Sequence, residues 1–393
     1  MEKNKMLLKG YPVSLHGLSE SKGLVEVQAG KITYAGESGV LFPGSGHRIY
    51  DFGTGYICPG FIDLHVHGSG GADVMDGSLE ALDRMSKVLA EGGTTSYLAT
   101  TMSAPRHVMA EAVRSASVAA KRGTKGAKIL GVHLEGPFLN PAQKGSQKEE
   151  FLRLPNIEEL KEYIDLSGGL ASMITLAPEL PGAMELIEYA AGRGLVVSLG
   201  HSVASIAHVN EACRAGLSHV SHAFNAMGGL HHREPGATGA ILSMEQLTAD
   251  IIADGLHVHP SVINILIKVK GIYNICVITD CMRAGAMGDG IFELGGQRVI
   301  VKNGEARLED GTISGSTSSM AGMIKTLVEK VRLSVPDAVR MVSANPARLL
   351  GIDSKGVLRE GKDADIVVMD RRFNILMTIV EGKIVYEKPP RQQ

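Results

Sequence analysis

The sequence predicts an α/β chain in which a (β/α)8 barrel of the TIM-like type carries a small β-sandwich domain formed from both chain ends. Three observations lead to this fold class. Eight apolar, strand-like runs alternate with helical patterns through the middle of the chain, ionisable residues follow most of these runs, and both ends contain short segments broken by glycine. Eight strands with their helices over about 280 residues match the size of such a barrel.

The two ends are expected to pair with each other. Their strand-like segments lie at 6–8, 24–27, 31–35, 364–369, 375–380 and 383–386. Neither end has enough strands to enclose a core, so we expect them to share one small domain. The predicted domains are therefore 1–56 with 347–393 for the β-sandwich, and 57–346 for the barrel.

The barrel strands are predicted from short apolar runs. These runs lie at 59–68, 96–100, 128–134, 173–177, 195–199, 218–221, 249–253 and 275–279. After the first run, Leu79, Leu82, Met85 and Leu89 recur at helical spacing, and the Gly92-Gly93 pair is expected to end that helix. An open doubly wound sheet would show the same alternation, and periodicity does not separate the two.

Ionisable residues stand at the ends of six of these runs. They are His65 and His67 in the first, Glu135 after the third, His201 after the fifth, His222 after the sixth, Asp254 after the seventh and Asp280 after the eighth. An isolated His-x-His pair is equally typical of a polar turn. A barrel, however, brings the carboxyl ends of all its strands to one rim. Histidine and carboxylate side chains together predict a divalent metal site there.

Composition excludes several classes of partner. The 40 Lys and Arg residues nearly balance the 42 Asp and Glu residues, and no basic cluster is dense enough for a nucleic acid backbone. No run approaches about 18 apolar residues, and no apolar signal core follows the charged residues 1–5, so we expect a cytoplasmic protein without a membrane partner. The four cysteines are scattered, which argues against a disulfide framework or a zinc knuckle.

Longer motifs surround the polar positions. They are His133–Phe138, His222–Met227, His231–Gly236, Ala253–His257 and Ser314–Ser316. With the Pro59–His65 stretch, these motifs resemble the metal-dependent amidohydrolase superfamily, and within it the amino-sugar-phosphate deacetylases. The resemblance covers essentially the whole chain.

The resemblance implies a metal centre. The ligands that it implies are His65, His67, Glu135, His201 and His222. Some members lack both histidines of the first strand and work with one ion, so their presence here favours two ions per subunit. The fourth strand offers no lysine, which leaves Glu135 as the bridging ligand. The ligand types suit Zn, Fe, Mn, Co and Ni alike.

The resemblance also implies a reaction, the removal of the acetyl group from N-acetyl-D-glucosamine 6-phosphate to give D-glucosamine 6-phosphate and acetate. Asp280 is implied to take a proton from metal-activated water and then to pass it to the sugar nitrogen. The alternatives are N-acetylgalactosamine 6-phosphate, or a cyclic amide or aminated base. A barrel that has lost catalysis is disfavoured because the ligand set is complete.

The substrate contacts follow from the same resemblance. The residues implied are Ser146, Gln147, Asn225, Ala226, Arg233, His257, Ile313, Ser314 and Gly315. Gln147 stands where other members have a histidine. Arg233 is implied to bind the phosphate in the neighbouring active site of a homodimer.

Three further residues near the predicted site have open roles. His133 is expected either to support the site or to hydrogen-bond the oxyanion, and Asp63 either to brace a histidine ring or to cap a turn. Asp254 is expected to hold the turn at 255–257.

Overall fold

The computed structural model describes residues 5–14, 17–18, 21–37 and 46–389. Predictions that concern 1–4, 15–16, 19–20, 38–45 and 390–393, all within the two end segments, lie outside the described residues. The strands are β1 (Lys5–Ser14), β2 (Gly17–Leu18), β3 (Gly23–Gln28), β4 (Lys31–Glu37), β5 (His47–Pro59), β6 (Phe61–Val66), β7 (Gly68–Ser69), β8 (Ala72–Asp73), β9 (Thr94–Thr100), β10 (Lys128–Glu135), β11 (Ala171–Leu176), β12 (Val196–Leu199), β13 (Leu217–Val220), β14 (Thr248–Ile252), β15 (Ile275–Ile278), β16 (Gly290–Leu294), β17 (Gln297–Lys302), β18 (Glu305–Arg307), β19 (Ile366–Met369), β20 (Ile375–Val380) and β21 (Lys383–Glu387).

Helices follow most of the strands in the middle of the chain. The α-helices are α1 (Leu79–Glu91), α2 (Arg106–Arg122), α3 (Ile157–Ser167), α4 (Ala183–Gly192), α5 (Ile206–Ala215), α6 (Gly236–Ser243), α7 (Pro260–Lys270), α8 (Met320–Glu329), α9 (Val335–Val342) and α10 (Ala344–Leu349). Short 3-10 helices lie at Val74–Asp76, Pro141–Gln143, Glu149–Phe151 and Ile272–Asn274. In the described part of the chain, no helix has the length and apolar character needed to cross a membrane.

The eight predicted barrel strands are present and form one parallel sheet, in the order β15-β14-β13-β12-β11-β10-β9-β6. Its two edge strands meet. The amide of Asp280 donates to the carbonyl oxygen of His65 at 2.9 Å, and Val66 and Cys281 form a parallel bridge. This closure confirms the barrel and excludes the open doubly wound sheet.

Burial explains why the barrel strands are apolar on both faces. Every residue of β6 is buried, because one face packs inside the barrel and the other against the surrounding helices. α1 begins after Ser78, whose side chain accepts from the amide of Ala81, and it ends before Gly92 as predicted. Its buried face includes Leu82, Met85 and Leu89, which the helical spacing identified.

The chain ends form one sheet, in the order β21-β20-β19-β5-β1-β3-β4. β5 joins the two ends, since it pairs in parallel with β1 and antiparallel with β19. Alternate residues of these strands, among them Leu8, Val25, Ile57, Val368 and Met377, are buried in a cluster separate from the barrel core. The expected small β domain built from both ends is confirmed.

An insertion between β15 and α8 was not predicted. It is the antiparallel sheet of β16, β17 and β18, whose Leu294 and Val299 pack with Met102 and Met282 from the barrel rim. The side chain of Gln297 donates to the carbonyl oxygen of Ser146 at 2.6 Å. The insertion therefore stands over one side of the rim and is joined to the loop after β10.

Candidate active site

Glu135, the last residue of β10, lies at the centre of the polar rim. Its Oε1 is 3.2 Å from Nε2 of His65, 3.2 Å from Nε2 of His201 and 3.1 Å from Nε2 of His222. Its Oε2 is 3.4 Å from Nε2 of His67. Residues from strands far apart in sequence thus surround one buried carboxylate, as the barrel predicted.

Asp280 completes this rim group on the side of β6. Its Oδ1 is 3.2 Å from Nε2 of His67 and 3.6 Å from Nε2 of His65. Two overlapping sets of ligand atoms lie within 4.8 Å of one another, His65 with Glu135 and His222, and His65 with His67 and Asp280. Clusters of imidazole nitrogen and carboxylate oxygen have the composition of metal sites.

Backbone carbonyls orient three of the four histidines. The Nδ1 contacts are His67 with the oxygen of Thr100 (3.3 Å), His201 with that of Gln143 (2.9 Å) and His222 with that of Asn225 (3.3 Å). A carbonyl oxygen only accepts, so Nδ1 carries the proton in each ring. Nε2 of each ring then faces the centre, and it is the atom that can bind a metal once it carries no proton.

The electrostatics of the site favour a cation. Burial disfavours the charged ring of His67, but a hydrogen bond with Asp280 and the charge of Glu135 raise its pKa to about 9. Burial opposes the same change at His222, where Glu135 raises the pKa to about 9. The two carboxylates thus favour positive charge on the neighbouring imidazole rings. A divalent ion can supply that charge in place of the ring protons.

Strained backbone turns several of these side chains towards the rim. His201, His222, Ala226 and Asp280 have φ of 50°, 33°, 51° and 47°, in the left-handed region that residues with a Cβ rarely occupy. Such a conformation costs about 1–3 kcal/mol per residue and persists where the surrounding structure enforces it. The strain lies where the chain leaves a barrel strand and enters a loop.

The rim residues described above, here called the metal-type cluster, are His65, His67, Glu135, His201, His222 and Asp280. A cavity of about 260 Å³ opens beside this cluster. The predicted substrate residues that line it are Ser146, Gln147, Asn225, Ala226, His257, Ile313 and Gly315. Met102, Leu294 and Thr312 also line it and were missed. Met102 and Leu294 give no chemical signal in the sequence, because they are apolar side chains and Leu294 belongs to the unpredicted insertion.

Two predicted substrate residues do not line this cavity. Ser314 is fully buried, and its hydroxyl has no hydrogen-bond partner among the described residues. Arg233 is exposed, and its Nη1 lies 2.7 Å from Nε2 of His232. Within one chain, Arg233 therefore stands apart from the metal-type cluster.

The turn after β14 presents His257 to the cavity. Oδ1 of Asp254 accepts from the amides of Leu256 (2.8 Å) and His257 (2.9 Å), which confirms the predicted turn. Oδ2 of Asp254 also lies 2.7 Å from Nδ1 of His257. Burial would raise the pKa of Asp254, but its bond with His257 lowers it, so this carboxylate stays ionised and orients the ring.

Comparison with known proteins identifies the family. Residues 56–385 match the amidohydrolase family. The chain belongs to this family. It is 37% identical over 385 residues to N-acetylglucosamine-6-phosphate deacetylase of Bacillus subtilis, with 97% of each chain covered. It is 36% identical to N-acetylgalactosamine-6-phosphate deacetylase of Escherichia coli O157:H7, over 84% of this chain and 87% of that one.

The structural comparison covers both domains. A deacetylase mutant of Mycobacterium smegmatis in complex with N-acetyl-D-glucosamine-6-phosphate superimposes with a TM-score of 0.91 at 29% identity, covering 97% of this chain and 99% of that one. Amidohydrolases are metal-dependent, and the rim of this chain fits that requirement. Its imidazole Nε2 atoms converge on buried carboxylates, which raise the pKa of His67 and His222 and so favour positive charge at the site.

The buried carboxylates of Asp63 and Asp250 position two histidines of the site by accepting hydrogen bonds from the backbone amides of those histidines. Oδ1 of Asp63 accepts from the amides of His65 (3.3 Å) and Thr279 (3.2 Å), and its Oδ2 accepts from the hydroxyl of Thr279 at 2.5 Å. Both predicted roles of Asp63 are wrong: among the described residues it contacts no histidine ring, and it lies inside β6, where it joins this strand to Thr279 at the end of β15. Asp250 similarly accepts from the amide of His222. Asp250 was missed because it lies inside an apolar run.

His133 supports His65. Its Nδ1 lies 3.1 Å from the carbonyl oxygen of Leu64, and its Nε2 lies 2.7 Å from the hydroxyl of Thr175. Its ring packs edge-on against the His65 ring, with centroids 4.6 Å apart. Burial and the nearby His65 lower the pKa of His133 well below its usual value, so the ring is neutral. With both nitrogens engaged, the predicted oxyanion contact is wrong and the supporting role is confirmed.

Proposed function

We propose that this chain hydrolyses N-acetyl-D-glucosamine 6-phosphate to D-glucosamine 6-phosphate and acetate. The observation that carries the proposal is the convergence of four histidines and two carboxylates at the rim of a chain that matches a deacetylase of that sugar phosphate over 97% of its length. The relative from Escherichia coli O157:H7 supports a second candidate, the deacetylation of N-acetylgalactosamine 6-phosphate.

We propose that two divalent ions bind at the rim. Glu135 lies among the ring nitrogens of all four histidines and would hold both ions, the first with His201 and His222 and the second with His65 and His67. A carboxylate can bridge in this way because each oxygen has its own lone pairs. Zn, Fe, Mn, Co and Ni all suit these ligands.

The proposed mechanism uses Asp280 as base and then as acid. When bound, the ions polarise the acetyl carbonyl and lower the pKa of water. Asp280 takes the proton from the attacking water and passes it to the sugar nitrogen as the C–N bond breaks. Burial would raise the pKa of Asp280, but the bond with His67 and the charge of His65 lower it to about 2. The carboxylate is therefore ionised at neutral pH, as a base must be.

The amino sugar is proposed to occupy the cavity. Its proposed contacts are Ser146, Asn225, Ala226, His257, Ile313, Ser314 and Gly315. His257 is held by Asp254 and can point its Nε2 at a sugar hydroxyl or at the phosphate. The role of Gln147 is argued separately below.

The phosphate needs a cation that one subunit does not provide at the site. Among the described residues, no lysine or arginine lines the cavity. Arg233 is exposed and carries the planar fork of donors that suits phosphate. We therefore propose a homodimer in which Arg233 reaches the neighbouring active site.

Mixed dimers test this arrangement. At substrate concentrations well below the wild-type KM, Arg233→Ala and Asp280→Asn should each have little activity alone. In a mixed dimer, one site combines its own Asp280 with the partner's Arg233 and is complete. Random reassociation should therefore restore roughly a quarter of the wild-type activity, because half of the dimers are mixed and each has one complete site. Absence of any recovery, in samples shown to contain mixed dimers, would rule out the shared site.

We further propose a domain division into 1–56 with 347–393 and 57–346, and a location in the cytoplasm. β5 belongs to the end sheet and directly precedes the first barrel strand, which supports a division in this region, although β5 pairs with β19 through Pro59, three residues beyond the proposed boundary. The four cysteines are free, which suits a reducing compartment. Detection of the native protein in a periplasmic or secreted fraction would contradict the location.

A substrate panel tests the proposed function. Acetate release is measured from N-acetylglucosamine 6-phosphate, N-acetylgalactosamine 6-phosphate and unphosphorylated N-acetylglucosamine. We expect the highest kcat/KM for the first and the lowest for the third. A higher kcat/KM for the galactosamine isomer would establish the second candidate. No acetate from any of them, by protein shown to contain metal, would contradict both.

A further inference from the structure

The side chain of Gln147 is engaged with the metal-type cluster on one side and with the backbone on the other. Its Nε2 donates to Oε2 of Glu135 at 2.6 Å, and its Oε1 accepts from the amide of Ser103 at 2.8 Å. The residue is 1% exposed. A side chain expected from the sequence to orient the substrate therefore directs its strongest contact at the proposed bridging carboxylate.

The amide of Ser103 fixes which way the glutamine faces. The oxygen and nitrogen of a glutamine amide have nearly the same shape, so their assignment depends on their partners. A backbone N–H can only donate, so the atom that faces Ser103 must be Oε1. The opposite atom, Nε2, then faces Glu135, where an ionised carboxylate can only accept.

The two oxygens of Glu135 have unequal surroundings. Oε1 lies within 3.2 Å of three imidazole nitrogens, from His65, His201 and His222. Oε2 has one imidazole, that of His67 at 3.4 Å, and the amide of Gln147 at 2.6 Å. Gln147 is thus the shorter contact on the Oε2 side, and it opposes rotation of the carboxylate plane away from His67.

We propose that Gln147 is a positioning residue that fixes the plane of Glu135 and thereby sets the affinity of the second metal ion, the one on the side of His67. This inference rests on the proposed two-ion site and concerns the protein's own hydrogen bonds to its bridging ligand. A carboxylate oxygen can accept from Nε2 and still offer a second lone pair to a metal. Partners that hold a ligand in place typically change metal affinity by about 10- to 100-fold when they are removed.

Metal retention by the holoenzyme tests the proposal. Wild type and Gln147→Met are equilibrated with graded chelator, and bound metal per chain is measured by mass spectrometry. Methionine keeps nearly the same length but loses both hydrogen bonds. We expect the free-metal concentration at which the second ion is half lost to rise about 10- to 100-fold, while retention of the first ion stays unchanged.

Ser146→Ala is the matched control. Ser146 is the adjacent residue and lines the same cavity, but its hydroxyl donates to the carbonyl oxygen of Ile313 at 3.3 Å and does not contact Glu135. This variant should keep the wild-type retention of both ions and change only KM. Gln147→Asn, whose amide is one methylene too short to make both contacts, should resemble Gln147→Met, and thermal unfolding checks that all variants are folded.

Three outcomes would overturn the inference. They are wild-type retention of both ions in folded Gln147→Met, equal loss of both ions, or a raised KM with metal retention unchanged. The last result would return Gln147 to a substrate contact. Because the readout is bound metal, it is distinguishable from a failure of the proposed function, in which wild type would hold two ions but release no acetate.

Discussion

The barrel rim and the sheet built from the chain ends both bury charged residues, but the sheet pairs its carboxylates with a lysine, whereas the rim pairs its carboxylates with histidines. Near β19, the ammonium of Lys355 lies between two carboxylates, bonded to Asp365 and 3.2 Å from Asp363. At the rim, the ionisable side chains that contact Glu135 and Asp280 among the described residues are histidines, which take up positive charge by protonation, and Gln147 adds a neutral hydrogen bond to Glu135. We infer from this difference that the carboxylates of the rim are arranged to bind an added cation, whereas the ion pairs of Lys355 near the sheet stabilise the fold.

Asp280→Asn should give the largest loss of catalytic rate, which would separate the role of the rim from that of the sheet. Asparagine keeps the shape but cannot take up the proton, so kcat should fall by about 10²- to 10⁴-fold. Metal content and the melting temperature should stay near those of wild type. Steady-state acetate release, with metal analysis on the same sample, measures this. Full activity in the variant would contradict the proposed acid–base role.

Lys355→Met should give the largest effect on stability. Asp363 keeps its ion pair with Lys31, but removing the buried ammonium leaves the buried carboxylate of Asp365 without its charged partner, which should lower the free energy of unfolding by about 3–5 kcal/mol. The kcat of the folded variant should be unchanged because the pair lies outside the active site. Urea unfolding followed by circular dichroism measures the loss. A variant as stable as wild type would show that this network does not hold the end sheet.

Arg233→Ala should weaken substrate binding. Loss of charge-assisted hydrogen bonds to the phosphate should raise KM by about 10- to 100-fold. The effect on unphosphorylated N-acetylglucosamine should be small, and that substrate is the control. An equal change for both sugars would place Arg233 outside phosphate recognition.

The release of protons on metal binding should be the smallest of the predicted effects. Because His67 and His222 have pKa values of about 9 without metal, both carry protons at pH 7. A metal needs neutral rings, so its binding should release up to about two protons per chain at pH 7 and fewer above pH 9. Metal affinity should accordingly rise with pH over this interval. Titration in weak buffer with a pH indicator measures the release, and metal affinity that falls with rising pH would contradict the sign.

The sequence predicted the barrel and the side chains at its rim because each strand is an apolar run whose last polar residue is chemically distinctive. His65, Glu135 and Asp280 carry that signal themselves. Asp250 does not, since a single carboxylate inside an apolar run looks like a break in the strand. The left-handed backbone at His201 and His222 is equally hidden, because it is imposed by tertiary contacts. The β16–β18 insertion was missed because β16 has five residues of which only one is buried, so it lacks the buried apolar run that marks a barrel strand and is too short to distinguish from a loop.

Metal removal and return test the central claim, that the buried carboxylates at the rim act through a bound cation. The purified chain is stripped with chelator and then given back one divalent metal in steps, with acetate release from N-acetylglucosamine 6-phosphate followed throughout. The proposal predicts that activity disappears on stripping and returns in proportion to bound metal. Acetate release at the original rate by chain shown to be free of metal would contradict it.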